Sequence, residues 1–154
     1  GHLVLATLHT NDAVSATTRL IDMGVEPYLL SSSLLGVLAQ RLVRKLCPAC
    51  KIPYRPGAAD VAELGGQFAG EALFGPPGCA ACNGTGYAGR TGIYELLTMD
   101  DAAKRLIHER AAEHLLRAHA TQNGMRGLRQ DGVRWVLSGA TSLEEVVRVT
   151  RESG

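Results

Sequence analysis

The chain opens on a short apolar run that ends in polar residues. Leu3 to Leu8 are almost continuously apolar, and the cluster His9-Thr10-Asn11-Asp12 follows them. A run of this length predicts a buried strand of a largely parallel sheet, with the polar cluster at its C-terminal end. Asn11 or Asp12 is then expected to cap a first helix that ends at Gly24 and carries inward positions at helical spacing, namely Val14, Thr17, Leu20 and Ile21.

A second helix is predicted from Pro27 to about Lys45. Proline is favoured in the first turn of a helix, and basic residues near its end complement the helix dipole. Leucines recur through the segment at spacings that fit one helical face. We therefore expect Arg41 and Arg44 to be charges near a helix C-terminus, with a role across a subunit interface as the alternative.

Residues 48 to 78 differ in composition, because prolines and glycines recur there without long-range periodicity. This predicts an irregular insertion whose ends must be held by something else. After it, Arg90 to Leu97 predict a short strand. The remainder is predicted to be helical. A first helix starts at Asp100 or Asp101, with Ala103, Leu106 and Ile107 inward, and a second lies around Leu115 and Leu116. A third contains Val133, Val136 and Leu137 and ends at Gly139, and a capping box at Thr141-Ser142-Leu143-Glu144 opens the last one.

Composition and charge narrow the classes of protein to which the chain can belong. Of its 154 residues, 45% are hydrophobic and 20% are charged, which is typical of an ordinary folded domain. A net charge of +1 gives no electrostatic footprint for a nucleic acid. The uncharged stretch from Pro27 to Gln40 falls short of the roughly 18 to 20 apolar residues of a membrane helix. The N-terminus has no initiating Met, basic segment or cleavage site, so we expect a piece of a longer protein.

Four cysteines form two pairs with Cys-x-x-Cys spacing, Cys47 with Cys50 and Cys79 with Cys82. Each pair delivers two sulfurs from one backbone turn, and Zn²⁺ prefers four tetrahedral thiolates. The pairs predict a zinc site, with thioredoxin-like redox sites or unligated buried thiols as alternatives. Four protein ligands would close the coordination sphere, so the metal would be structural and would replace a core for residues 48 to 78. A chain of this size needs no disulfide framework, which favours reduced cysteines and a cytosolic location.

Two minor interpretations of the cysteine motif stay open. Residues 79 to 86 fit one copy of the Cys-x-x-Cys-x-Gly-x-Gly repeat of the DnaJ-type chaperone zinc domain, which carries four copies. A zinc ribbon that binds nucleic acid is the other, with Arg41, Arg44 and Lys45 as its basic element. An aromatic content of 5% offers few stacking platforms for bases, which disfavours the second interpretation.

His9 is the second candidate for chemistry. It is expected at the C-terminal end of the first strand, where open α/β sheets bind ligands, and its imidazole could hydrogen-bond a phosphate. The alternative is that His9 and Thr10 only cap the following helix. The residues alone leave both interpretations open.

Several motifs in fixed order carry a resemblance to a known family. They are HLVLATLHTNDA at residues 2–13, LLGVLAQRLVRKLCPAC at 34–50, CAACNGTGYAGRTG at 79–92 and GATSLEEV at 139–146. With these motifs the chain closely resembles, over essentially its whole length, the type II secretion system ATPases of the general secretion pathway protein E family. Type IV pilus assembly ATPases are the nearest alternative, and a free-standing zinc interaction module is the alternative of a different class.

The resemblance implies an α/β fold, namely the C-terminal part of a RecA-like P-loop ATPase domain with a tetracysteine zinc-binding insertion and a helical C-terminal bundle. Members of this family act as cytoplasmic hexamers at the inner membrane, held there by partner proteins, and drive pseudopilus assembly. The implied partners are thus further copies of the chain and inner-membrane components, without nucleic acid and without a membrane span of its own.

The resemblance also implies roles for individual residues. Residues 1 to 12 match the family's histidine box, in which His2 and His9 are the two histidines and His9 faces the terminal phosphate of the nucleotide. Cys47, Cys50, Cys79 and Cys82 match the family's zinc ligands. Arg90, in the Gly-Arg-Thr-Gly motif, matches a residue expected beside the nucleotide base.

The chain departs from the family pattern in what it lacks. It contains no Gly-x-x-x-x-Gly-Lys-Ser/Thr motif and no acidic boxes, the elements that cradle the phosphates of ATP and hold Mg²⁺. We therefore expect the longer parent to be an ATPase and this chain alone to be inactive. The expected division is residues 1–46 as the end of the ATPase core, 47–89 as the zinc subdomain, and 90–154 as a short strand and the helical bundle.

Overall fold

The computed structural model describes residues 2–65, 68 and 70–151. Some residues lie outside the described part, namely Gly1, residues 66, 67 and 69 of the predicted insertion, and residues 152–154. Seven α-helices and four strands occur in the described part: α1 (Ala13–Asp22), α2 (Pro27–Ser33), β1 (Gly36–Leu46), β2 (Ile52–Tyr54), α3 (Ala58–Leu64), β3 (Leu73–Gly75), β4 (Tyr87–Thr98), α4 (Asp101–His108), α5 (Glu113–Gln122), α6 (Leu128–Leu137) and α7 (Leu143–Thr150).

The chain divides into two compact units, each made of two segments. The first unit comprises Gly1–Ala39 and Glu95–Arg126, and the second comprises Gln40–Tyr94 and Gly127–Gly154. The boundaries fall inside β1 and β4, which pair with each other in a two-stranded sheet.

In the first unit, α1, α2, α4 and α5 surround an apolar core. Asp12 caps α1 by accepting a hydrogen bond from the Ser15 amide at 2.8 Å, and Asp100 caps α4 by accepting one from the Ala103 amide at 2.7 Å. These caps satisfy amides that have no partner inside their helices. The core consists of the buried residues Ala13, Val14, Leu30, Leu97, Ala103, Ile107, Leu116 and Ala120.

In the second unit, α6 and α7 pack together over residues from the insertion. Strands β2 and β3 pair antiparallel, with Pro53 opposite Phe74. Leu64 and Leu73 are buried in the same core, so the expectation that a metal replaces a core for residues 48 to 78 is wrong. The insertion therefore contributes apolar residues to the core of its unit. The core comprises Val43, Leu64, Leu73, Ile93, Leu128, Val133, Val136, Leu143 and Val146.

The predicted second helix from Pro27 to Lys45 is wrong beyond its first two turns. Helix α2 ends at Ser33, and strand β1 begins at Gly36. The leucines Leu38 and Leu42, which fit a helical face, are 60% and 52% exposed, and burial along the strand alternates instead. Pairing with β4 supplies the backbone partners that favour the strand, because tertiary context overrides a weak local preference. Arg41 and Arg44 are consequently strand residues and not helix-end charges.

The predicted buried strand at Leu3 to Leu8 is also not present. Residues 2–10 have no regular secondary structure, and Leu3, Val4 and Leu5 are 74%, 79% and 89% exposed. A strand needs a neighbouring backbone to satisfy its N–H and C=O groups. Within the described residues, no strand pairs with this segment.

The C-terminal predictions agree better with the structure. The strand predicted from Arg90 to Leu97 is confirmed inside the longer β4, and the four later helices are confirmed as α4 to α7. The last cap differs in its residue, since the Ser142 hydroxyl, and not Thr141, accepts from the Glu145 amide at 3.2 Å. The Thr141 hydroxyl instead donates to the Arg44 carbonyl oxygen at 2.7 Å.

Candidate metal centre and histidine-bearing turn

The four cysteines lie together, with their sulfur atoms all within 4.8 Å of one another. Cys47 directly follows β1, and the turn from Cys47 to Cys50 is closed by a 3.3 Å hydrogen bond from the Cys50 amide to the Cys47 carbonyl. Cys79 and Cys82 lie in an equivalent turn, where the Cys82 amide donates to the Cys79 carbonyl at 3.2 Å. The two turns therefore present four sulfurs to one point.

The sulfur spacing fits a metal ion and not a disulfide. The Sγ–Sγ distances are 4.0 Å for Cys47–Cys79, 3.9 Å for Cys50–Cys82 and 3.7 Å for Cys79–Cys82. Tetrahedral zinc with Zn–S bonds of about 2.3 Å requires sulfurs about 3.8 Å apart, whereas a disulfide requires about 2.05 Å. All four cysteines are free. The cluster can therefore hold a metal ion with thiolate ligands.

Backbone amides prepare part of this cluster for negative charge. Burial opposes ionisation of Cys82, but the N–H groups of Cys79 and Gly86, at 3.2 and 3.1 Å from its sulfur, outweigh burial and lower its pKa to about 6. Burial and the neighbouring Cys79 thiol raise the pKa of Cys50 to about 12. A divalent cation would displace the remaining protons, because metal binding to cysteine requires thiolates.

The glycines after Cys82 are required by the geometry of its turn. Asn83 adopts φ 53°, and Gly84 and Gly86 adopt φ 77° and 76°, in the left-handed region that glycine tolerates best. A Cβ atom on Gly86 would also lie 2.7 Å from the Pro76 carbonyl oxygen. Gly86 is therefore needed both for backbone conformation and for the approach of its amide to Cys82.

His9 lines an open depression at the N-terminal end of α1, with a volume of about 340 Å³. His2 and His9 are both exposed, and His2 does not line this depression. The depression is predominantly polar, with hydroxyl, amide and charged groups of both signs, which suits a hydrogen-bonding ligand better than an apolar one. Its other lining residues are Thr10, Asn11, Ser15, Thr18, Arg19, Asp22 and Glu113.

Arg90 lies exposed on β4, in the second unit, and lines a separate small depression of about 210 Å³. Arg44 lines the same depression, and its guanidinium lies 4.0 Å from the centre of the Tyr87 ring. Thr85, Tyr87 and Gly89 complete the lining. The structure thus brings the four cysteines together, and within the first unit it does not bring His2 to the depression that His9 lines.

Several residues that line or support these sites were not predicted from the sequence. Arg19 and Thr18, beside His9, could have been found as polar positions on the outer face of α1. Glu95 and Glu145 could not, because each is a buried carboxylate that meets a group far away in the sequence: Glu95 accepts from the Ala13 amide at 2.8 Å, and Glu145 accepts from Arg44 at 2.7 Å.

Comparison with known proteins identifies relatives along nearly the whole chain. The family model described as "Type II/IV secretion system protein" matches residues 1–148. Type II secretion system protein HxcR from Pseudomonas aeruginosa is 59% identical over 153 residues, which are 99% of this chain and 29% of that protein. Type II secretion system ATPase E from Vibrio cholerae is 54% identical over 155 residues, covering 99% of this chain and 30% of that protein.

Two further matches are to proteins named for roles in pilus systems. Type IV pilus assembly ATPase TfpB from Acinetobacter baylyi is 49% identical over 152 residues, covering 97% of this chain and 26% of that protein. A crystal structure of the pilus retraction motor PilT with bound ADP matches with a TM-score of 0.60 and 23% identity, over 99% of this chain and 34% of that one. This likeness confirms the predicted mixed α/β fold class. The chain spans about 30% of the length of the curated relatives it matches first.

Proposed function

Because the chain belongs to the type II/IV secretion system protein family, we propose that it is the C-terminal part of a hexameric ATPase that powers type II secretion by driving pseudopilus assembly. The observation that carries the proposal is 54% identity, over nearly the whole chain, to a Vibrio cholerae protein named as a type II secretion system ATPase. ATP, Mg²⁺ and hydrolysis belong to the proposal for the longer protein. The same identity favours a motor over a free-standing zinc interaction module.

In this proposal, residues 1–46 end the RecA-like core, residues 47–89 form the zinc subdomain, and residues 90–154 form a strand and the helical bundle. The exposed apolar run from Leu3 to Leu8 supports the first assignment, because such a run gains most by pairing with strands of the longer protein. Within the described residues, no helix is both long and apolar enough to traverse a bilayer. A cytoplasmic hexamer held at the inner membrane by partner proteins is the arrangement we propose.

We assign Cys47, Cys50, Cys79 and Cys82 as ligands of one structural zinc ion. The spacing of their sulfurs supports this assignment, as does the amide support of Cys82. Structural zinc contributes about 10 to 16 kcal/mol of apparent binding free energy at neutral pH. The purified, reduced protein should therefore contain one zinc per chain by elemental analysis, and Cys79→Ser should lose most of it.

The alternatives for the cysteines give different results in the same samples. A redox pair would leave a folded, metal-free protein whose thiols form reversible disulfides, and inert thiols would leave a folded protein without either property. Zinc far below one equivalent in a folded, reduced sample would contradict the zinc proposal. On chelation, hydrogen exchange should rise first in residues 48–89, while α4 and α5 keep their protection because they bury their own apolar faces.

His9 is proposed to hydrogen-bond the terminal phosphate, with His2 as the second histidine of the same box and Arg90 beside the base. The polar lining around His9 supports the first role. In the full-length protein, His9→Ala should lower kcat for ATP hydrolysis about 10- to 1,000-fold, the range for removing one donor that acts mainly in the transition state. His108→Ala, an exposed histidine in α4, is the matched control and should leave kcat unchanged.

A helix-capping role for His9 would give the opposite pattern. Stability would fall by about 0.5 to 2 kcal/mol, and kcat in the surviving protein would stay near normal. Measuring kcat, KM and the melting temperature on the same variant separates the two roles. An unchanged kcat would show that His9 has only the structural role.

A type IV pilus assembly ATPase is the second candidate, favoured by the 49% identity to a protein named for that role. The two candidates differ in the process that fails when the gene is deleted. Loss of secreted proteins from the medium with normal pili supports type II secretion. Loss of pili with normal secretion supports the alternative.

A further inference from the structure

Glu95 is a buried carboxylate that contacts another element of the first unit. Glu95 lies in β4 and is 3% exposed. Its Oε1 accepts a 2.8 Å hydrogen bond from the amide of Ala13. Ala13 is the first residue of α1, and the first amides of a helix have no acceptor within that helix. Glu95 therefore ties a distant strand to the start of α1.

A second carboxylate fixes the same helix end from the side of the turn. The Asp12 side chain accepts from the Ser15 amide at 2.8 Å and from the Arg117 guanidinium at 2.9 Å. The Thr10 hydroxyl donates to the Asp12 carbonyl oxygen at 3.1 Å. The turn between His9 and α1 is thus held by contacts from both β4 and α5.

These contacts limit which groups at the start of α1 could bind a phosphate. A helix N-terminus with free amides can bind an anion directly, but here two carboxylates already occupy that end. A phosphate at this end must therefore be met by side chains of the turn, and their direction depends on how the turn is anchored. A buried carboxylate carries a desolvation cost, which an apolar residue would avoid if only packing mattered at this position.

We propose that Glu95 is a positioning residue, which holds the first turn of α1 and thereby aims His9 at the terminal phosphate of the nucleotide. The inference rests on the proposed function of His9, and Glu95 itself does not touch the nucleotide in it. A displacement of about 1 Å in a catalytic group can cost about 100-fold in rate, so the anchor is expected to act on kcat.

The kinetic test uses the full-length protein and a double-mutant cycle. Glu95→Ala should lower kcat about 10- to 100-fold with KM for ATP changed by less than about 3-fold. Glu95→Gln keeps an acceptor for the Ala13 amide and should recover most of that loss. Adding Glu95→Ala to His9→Ala should cost less than about 3-fold further, because the anchor has nothing left to aim. Glu109→Ala, an exposed carboxylate in the first unit, is the matched control.

A second readout does not depend on ATP hydrolysis. Hydrogen exchange of peptides covering residues 9–17 should speed up at least about 10-fold in Glu95→Ala and stay near wild type in Glu95→Gln. If Glu95→Ala fails to fold, Glu95→Asp, which withdraws the acceptor by one methylene, takes its place in both measurements.

The outcomes separate this inference from the proposed function. Losses in kcat that multiply in the double variant, or unchanged exchange in residues 9–17, overturn the positioning role while leaving the ATPase intact. A wild-type protein that hydrolyses no ATP overturns the proposed function and, with it, the role of Glu95 in aiming His9. Exchange then reports only on the anchor of α1.

Discussion

Glu145 is a buried carboxylate in the first turn of α7, in the second unit. Its side chain is fully buried, and it accepts hydrogen bonds from the Arg44 amide at 3.1 Å, the Arg44 guanidinium at 2.7 Å and the Arg148 guanidinium at 2.8 and 3.0 Å. Burial opposes its charge, but the bonds from Arg148 and Arg44 outweigh burial and lower the pKa of Glu145 from 4.5 to about 2. Replacing it should therefore destabilise the fold.

The size of the effect follows from that difference in pKa. A fall from 4.5 to about 2 corresponds to about 3 kcal/mol of stability at neutral pH, taken at 1.36 kcal/mol per pKa unit. The side chains of Arg44 and Arg148 are 44% and 58% exposed, so water screens part of the interaction. We expect Glu145→Gln to lower the free energy of unfolding by about 2 kcal/mol at pH 7.

The stability that Glu145 contributes depends on pH. Because the pKa of Glu145 is lower in the folded state, its contribution is present above pH 4.5 and is lost as the pH falls from 4.5 towards 2. Urea unfolding of wild type and Glu145→Gln, followed by circular dichroism at several pH values with a reductant and a chelator in every sample, measures both effects without a change in metal content along the series. The difference between wild type and Glu145→Gln should shrink across that interval.

Glu144 supplies the matched control, because it is the exposed neighbour of Glu145 in the first turn of α7. Glu144→Gln should change the free energy of unfolding by less than about 0.5 kcal/mol. Equal effects of the two substitutions, or a difference for Glu145→Gln that does not change between pH 4.5 and 2, would refute the reasoning.

Three further predictions concern packing, capping and activity. A Cβ on Gly132 would lie 2.5 Å from Cγ1 of buried Val146. Gly132→Ala should therefore lower the free energy of unfolding by about 1 to 2 kcal/mol in urea titrations, although alanine has the better helix propensity. A stabilised variant would contradict this prediction. Asp100→Ala removes the cap on the Ala103 amide and should cost about 1 kcal/mol in thermal unfolding, against a smaller loss for the exposed Asp101→Ala. The isolated chain should hydrolyse no ATP above the buffer background in a phosphate-release assay, since the phosphate cradle is missing; turnover would refute that expectation.

Local sequence determined the caps and most of the helices. Asp12 and Asp100 accept hydrogen bonds from amides three residues away, and Gly139 adopts φ 68° after α6. Such features depend on atoms within one turn of the chain, so residue type and spacing are enough to predict them. The Cys-x-x-Cys turns belong to the same class, because each turn is closed by its own backbone.

Only the tertiary structure decided which distant groups meet. Residues 36–46 fit a helix as well as a strand, and pairing with β4 settled the choice. Leu3 to Leu8 have the composition of a buried strand, yet they lie exposed because a strand forms only beside a partner. Glu95 and Glu145 could be interpreted from sequence only as polar positions, since Ala13 lies 82 residues from Glu95 and Arg44 lies 101 residues from Glu145. Burial and pairing are properties of the whole chain, so no local pattern could have assigned those carboxylates their roles.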